Sequence, residues 1–185
     1  MYKIYVHVYG GIKMEELVEK SKKGDNQAFS DLIISIENEL YKIARTRLRN
    51  EDDIKEAVQE TIVKSYSSIK KLRNSKFFKT WIIKILINEC NNIYTKTKKN
   101  NFEEYDENAL KSESTNEINA KIDYLDFFIL IDNLNYSERI VMTLFYLEEF
   151  STKEIAKILN EPEATIRTRL SRSRNKLKKF IEGGF

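Results

Sequence analysis

The sequence is short of residues that break helices and of those that build reactive sites. Its 185 residues include only 5 glycines, 1 proline, 1 cysteine, 1 histidine and 1 tryptophan. With so few breakers, long helices are expected. A lone cysteine, Cys90, excludes an internal disulfide, and its apolar helical setting marks it as a small core or half-buried residue. The lone histidine, His7, lies in the N-terminal tail. This scarcity argues against a zinc site and a Cys–His nucleophile, and no constellation of His, Cys and carboxylates suits an enzyme. No catalytic residue, metal, cofactor or small-molecule substrate is therefore expected. No apolar run reaches the length of a membrane span and no secretory signal is visible, so the expectation is a cytoplasmic chain without direct membrane insertion.

What the chain does contain is charge, unevenly placed. Hydrophobic residues make up 41% and charged ones 33%, a globular balance for one domain or two small ones. The net charge of +3 hides a contrast. Between Asn100 and Asn119, six acidic residues (Glu103, Glu104, Asp106, Glu107, Glu113, Glu117) face one lysine, a net of −5. Ser, Thr and Asn fill much of the remainder. This reads as a flexible acidic linker between more basic flanks.

The stretch Ser151 to Ile181 reads as two helices joined by a tight turn. In the first, Ile155, Ile158 and Leu159 share one face, and Ser151 with Glu154 forms a capping-box pattern. Asn160-Glu161-Pro162 supplies the turn, because Asn tolerates the left-handed conformation and Pro cannot continue a helix. In the second helix, Ile166, Leu170, Leu177 and Phe180 or Ile181 make the apolar stripe. Ala164, Thr165, Thr168, Ser171, Arg172 and Asn175 project the other way, and Arg167, Arg169 and Arg174 flank the stripe. Short side chains near the helix start admit a major-groove surface, and the cations suit base edges and phosphates. This is a helix-turn-helix pattern. A merely solvated basic face would not need the capped partner helix, the turn or the small-residue tip.

Upstream, residues 1 to 13 (MYKIYVHVYGGIK) alternate like a short strand with no evident partner strand. Gly10-Gly11 must be encoded GGN-GGN, two codons before Met14, a purine-rich spacing that resembles a bacterial ribosome-binding site. The natural start is thus expected at Met14, and the intact mass of the native protein tests this. Helical spacing then predicts a helix over Glu15 to Lys23 ended by Gly24. One capped by Asp25 follows, carrying Phe29, Leu32, Ile33, Ile36, Leu40, Ile43 and Leu48 to a basic end. A third spans about Glu51 to Lys71, and a fourth Thr80 to about Lys96. Between the last two lies a polar, basic loop ending in Phe77 and Phe78, one of which, with most of Trp81, is expected in the core. The fourth helix also presents Lys84, Asn88, Asn91, Asn92 and Tyr94, and such aromatics beside Lys and Asn suit single-stranded bases. Beyond the linker, helices near Ile122 to Asn133 and Ser137 to Glu149 precede the opening pair.

Three segments resemble the bacterial sigma factors of the extracytoplasmic-function type, within the sigma-70 family. Asp53-Ile-Lys-Glu-Ala-Val-Gln-Glu-Thr61 is similar to that family's acidic "D-x-x-Q-E-T/V" helix. Phe77-Phe-Lys-Thr-Trp-Ile-Ile-Lys-Ile-Leu-Ile-Asn88 is similar to "F-x-x-W-L-x-R-I-A-x-N". Leu134 to Val141, Glu154 to Leu159 and Thr165 to Arg174 resemble "L-P-x-x-x-R-x-V", "E-I-A-x-I-L" and "T-V-K/R-S-R-L-x-R-A-R". Asn135 replaces the usual Pro and Asn160 the usual turn Gly, both compatible with a cap or turn.

The resemblance implies an all-α chain of two small helical domains joined by the flexible acidic linker: region 2 over 14–98, linker 99–121, and a region 4 helix-turn-helix bundle over 122–185, with 1–13 an extension. It implies RNA polymerase core and promoter DNA as partners, and an anti-sigma factor, often membrane-bound, as controller. Asp53, Glu56, Gln59 and Glu60 would bind polymerase. Phe78, Lys79, Thr80, Lys84, Asn88 and Asn92 would meet the −10 element and help melt it. Thr165, Arg167, Thr168, Ser171 and Arg172 would meet the −35 element, with Arg169, Arg174 and Lys178 as phosphate or structural contacts. The competing readings are a toxin- or bacteriocin-type sigma factor, a polymerase-independent helix-turn-helix regulator, and a helical adaptor. The regulator leaves Asp53 to Thr61 and Phe77 to Asn88 unexplained, and the Arg-rich, small-tipped last helix argues against the adaptor.

Overall fold

The structure is a computed structural model that describes residues 8–9, 12–100 and 122–182. Most of the expected acidic linker lies outside the described residues. The chain divides into two units, residues 1–95 and 96–185.

In the first unit, β1 (Val8–Tyr9) pairs antiparallel with β2 (Ile12–Lys13). The stretch expected as one strand without a partner thus contains two strands that pair with each other. Helix α1 (Met14–Lys22) follows, and Gly24 takes φ +97 beyond its end, a conformation that suits glycine. Asp25 caps α2 (Asn26–Ile34) by accepting from the Ala28 amide. The single long helix expected here is broken. Ser35 and Ile36 separate α2 from α3 (Glu37–Arg45), and the Ser35 hydroxyl donates to the Leu32 carbonyl at 2.6 Å. Such local bonding competes with a continuing helix. Ile36 nevertheless stays in the core at the break.

Asn50 caps α4 (Glu51–Ser68) by accepting from the Asp52 and Asp53 amides. A 3-10 turn (Ile69–Lys71) extends it, and a second (Ser75–Phe77) leads into α5 (Phe78–Asn100). Helix α5 runs past the expected end at Lys96 because no Gly or Pro stops it. Leu32, Ile36, Leu40, Ile43, Ile54, Phe78, Ile82, Ile83 and Leu86 are the largest fully buried side chains of this unit. Polar ties bind α5 to its neighbours: Lys64 of α4 pairs with Glu89, and the Arg47 guanidinium lies 3.5 Å from the Tyr94 ring centroid. Cys90 is buried, and desolvation pushes its thiol up to about 12, so it is held as an inert thiol.

The second unit holds α6 (Ile122–Ile131), α7 (Tyr136–Tyr146), α8 (Thr152–Leu159) and α9 (Glu163–Glu182). Both α7 and α8 open with reciprocal capping boxes, Asn135 with Glu138 and Ser151 with Glu154. Helix α9 packs on α7 and α8, which also touch each other. Ile140, Leu144, Ile155, Ile158, Ile166, Leu170 and Leu177 form the buried centre. The stripe on α9 stops at Leu177, since Phe180 and Ile181 are 41% and 61% exposed.

Candidate nucleic-acid interface

Helix α9 reaches its orientation through one left-handed residue. Asn160, at φ 55 and ψ 44, ends α8, and its amide bonds to the Ala156 carbonyl. Pro162 then starts α9 by accepting from the Thr165 amide at 3.0 Å. With Ile166 and Leu170 buried, the expected outward residues Ala164, Thr165, Thr168, Ser171, Arg172 and Asn175 are all exposed.

The basic residues of α9 fall into two groups. Most are engaged within the unit. Arg169 makes a two-point ion pair to Glu161, with Nη1 and Nη2 at 3.1 and 2.7 Å from the two carboxylate oxygens. Arg174 donates from Nε to the Tyr146 hydroxyl at 2.7 Å and lies 5.3 Å from the Phe145 ring centroid. Lys176 pairs with the buried Glu138 at 2.6 Å, and Lys178 with Glu182 at 3.6 Å. Of the three cations expected to serve as phosphate or structural contacts, Arg169 and Arg174 thus tie α9 down. Arg172 is exposed and forms no ion pair among the described residues.

Arg167 is an intermediate case. Its Nε and Nη2 both donate to Glu163 Oε1, at 3.2 and 2.8 Å, and the Thr152 hydroxyl donates to the same oxygen at 2.7 Å. The Thr152 hydrogen bond and the Arg167 contact hold the Glu163 carboxyl below its ordinary value of 4.5.

The first unit offers a different surface. Ile54, Ala57, Val58, Thr61 and Ser65 turn one face of α4 inward, leaving Glu56, Gln59 and Glu60 exposed and Asp53 half-buried. On α5, Lys84, Asn88 and Asn92 follow one another at i, i+4 spacing, all exposed. Thr80 is half-buried. Lys79 is drawn to Glu39 of α3 at 2.9 Å, so it braces two helices in the free chain. Phe78 requires a correction. It is 0% exposed and packs on Trp81, ring centroids 5.9 Å apart, so it anchors the start of α5 and has no surface to offer DNA. The exposed aromatic is Phe77, at 49%. Of the two adjacent phenylalanines at this loop–helix junction, the chain buries the one inside the helix.

Sequence reasoning missed the partners of the cations. Glu163–Arg167 and Lys178–Glu182 had a local signal, their i, i+4 spacing; Glu138–Lys176 and Tyr146–Arg174 join residues far apart in the chain.

Two family models match within these units: Sigma-70 region 2 over residues 32–100, and Sigma-70, region 4 over residues 130–177. The chain belongs to the sigma-70 family. It is similar to the extracytoplasmic-function (ECF) RNA polymerase sigma-E factor of Haemophilus influenzae, 29% identical over 181 residues, or 91% of this chain and 95% of that one. It is an ECF-type sigma factor, and as such an initiation factor without an enzymatic reaction of its own. Two solved structures share the fold. CnrH in complex with the cytosolic domain of CnrY superposes with TM-score 0.68 at 20% identity, covering 92% of this chain and 98% of CnrH. The sigma factor RpoE of Bartonella quintana, in complex with the anti-sigma factor NepR, gives TM-score 0.65 at 24% identity, covering 85% and 98%.

Proposed function

We propose that this sigma factor uses its two units as two promoter readers on one polymerase. Residues 14–98 bind the polymerase core through Asp53, Glu56, Gln59 and Glu60. They meet the −10 element through Lys84, Asn88 and Asn92, with Phe77 replacing Phe78 as the aromatic beside Lys79 and Thr80. Residues 122–185 read the −35 element through Thr165, Arg167, Thr168, Ser171 and Arg172, and residues 99–121 tether the two.

The observation that carries this reading is the exposed face of α9. Small side chains stand there with Arg172, which has no ion-pair partner among the described residues, while Arg169, Arg174 and Lys176 are held back against the unit. A helix tip of this shape suits the major groove, where Arg bonds a guanine through two donors. On the first unit, melting requires bases to leave the stack, a cost of a few kcal/mol that stacking and edge contacts offset. Phe77 and the Asn-rich face of α5 supply groups for both.

The same reading places the factor in the cytoplasm, where polymerase is, and under an anti-sigma factor. RpoE with NepR gives the precedent for that control. The test is transcription in vitro with polymerase core. Addition of the chain should yield initiation at defined promoters carrying spaced −35 and −10 elements, and absence of promoter-specific initiation refutes the reading.

A further inference from the structure

We propose that Glu163, fixed by Thr152, is a positioning residue for promoter specificity: it buttresses the Arg167 guanidinium so that its outer edge meets a guanine of the −35 element. This inference rests on the region 4 reading above.

A guanidinium carries five N–H donors in a rigid fork. Here Nε and one donor of Nη2 are spent on a single carboxylate oxygen, Oε1 of Glu163, at 3.2 and 2.8 Å. The far edge, Nη1 with the second donor of Nη2, remains open among the described residues. A guanine in the major groove presents two acceptors side by side, N7 and O6, and matches that edge. The carboxylate therefore need not be displaced when Arg167 meets DNA, because it occupies the opposite side of the fork.

Three features keep the buttress in place. Glu163 lies four residues before Arg167, the favourable order for a pair on one helix. It lies in the first turn of α9, where the helix dipole favours a negative charge. Thr152, from the first turn of α8, donates to the same Oε1 at 2.7 Å. This last contact matters most. An exposed i, i+4 pair alone is weak and mobile, and Arg167 is 70% exposed. The Thr152 bond references the guanidinium to both helices of the helix-turn-helix. Arg172, on the same face, has no ion-pair partner among the described residues to guide it.

The experiment uses the full chain with RNA polymerase core and a promoter library randomised across the −35 segment, with transcripts counted by sequencing. Arg167→Ala should abolish guanine preference at one −35 position. Glu163→Ala should lower the preference at that same position about tenfold, leaving the other positions as in wild type. Thr152→Val should act there in the same direction by less. Glu163→Gln, which keeps an acceptor oxygen, should fall between wild type and Glu163→Ala. Retained preference at the other positions shows that the unit is folded. An unchanged preference at the Arg167 position in Glu163→Ala overturns the proposal. So does a uniform rise in transcription across the library, which would mean that Glu163 merely repels DNA. A wild-type chain that initiates but shows no −35 preference overturns the region 4 reading itself, a result distinct from any Glu163 phenotype.

Discussion

The two units present their polar faces in opposite ways. On α5, Lys84, Asn88 and Asn92 stand exposed with no hydrogen bond or ion pair among the described residues. On α9, Arg167, Arg169, Arg174 and Lys176 are each held by a named partner. The difference fits the two proposed substrates. Duplex DNA offers fixed donor and acceptor patterns; Arg169, Arg174 and Lys176 fix the helix that meets them, and Arg167, a reader set in advance, loses less freedom on binding. Strands being separated offer no fixed pattern, and adaptable Asn and Lys side chains suit them.

The comparison can be broken first at its foundation. Phe78→Ala empties a fully buried aromatic site at the start of α5. Large core truncations of this kind cost about 3–5 kcal/mol. Urea unfolding followed by circular dichroism should show that loss, whereas Phe77→Ala, at an exposed site, should leave stability nearly unchanged. A stable Phe78→Ala protein would mean that the first unit does not depend on this anchor.

Next in size is the unguided arginine. Arg172→Ala should cost about 1–3 kcal/mol on a matched −35 sequence. Equal losses on matched and scrambled −35 DNA would make it a phosphate contact instead. Lys84→Ala on the other unit should weaken promoter binding without changing sequence preference, and should lower the salt slope by about one.

Much of this layout was legible because the signals are local. Caps at Asp25, Asn135 and Ser151 involve residues within three positions, and the turn at Asn160-Glu161-Pro162 is read from residue types that stop a helix. The break at Ser35 carries no Gly or Pro, so helical spacing ran straight through it. The choice between Phe77 and Phe78 depends on where α5 begins, which spacing fixes only to within a residue or two. Long-range ties such as Arg174 to Tyr146 leave no periodic trace, so the choice between a phosphate and a structural contact stayed open for that arginine.

Smaller effects separate the units further. Ser151→Ala removes one capping box, at a cost of about 1 kcal/mol to the second unit. The matching change on the first unit, Asn50→Ala, should cost about as much at α4. Thermal melts of the two variants test whether the caps are equivalent.

Acid gives the smallest signal. The Glu163 carboxyl titrates below its ordinary 4.5, by the Thr152 hydrogen bond first and Arg167 second. Its folded value is lowered, so its contribution is complete above 4.5 and is lost as the pH falls through that lowered value. The melting temperature of the second unit should therefore decline on acidification below 4.5, with Glu163→Gln lacking that component.

The half-buried Trp81 packs on Phe78 at the entrance to α5, and it is the chain's 1 tryptophan. Intrinsic indole emission, excited away from the tyrosines, thus originates wholly from the first unit. A change in its colour or intensity on adding a single-stranded oligonucleotide, which carries no indole, reports on that unit alone, without labels, while the helix-turn-helix stays optically silent.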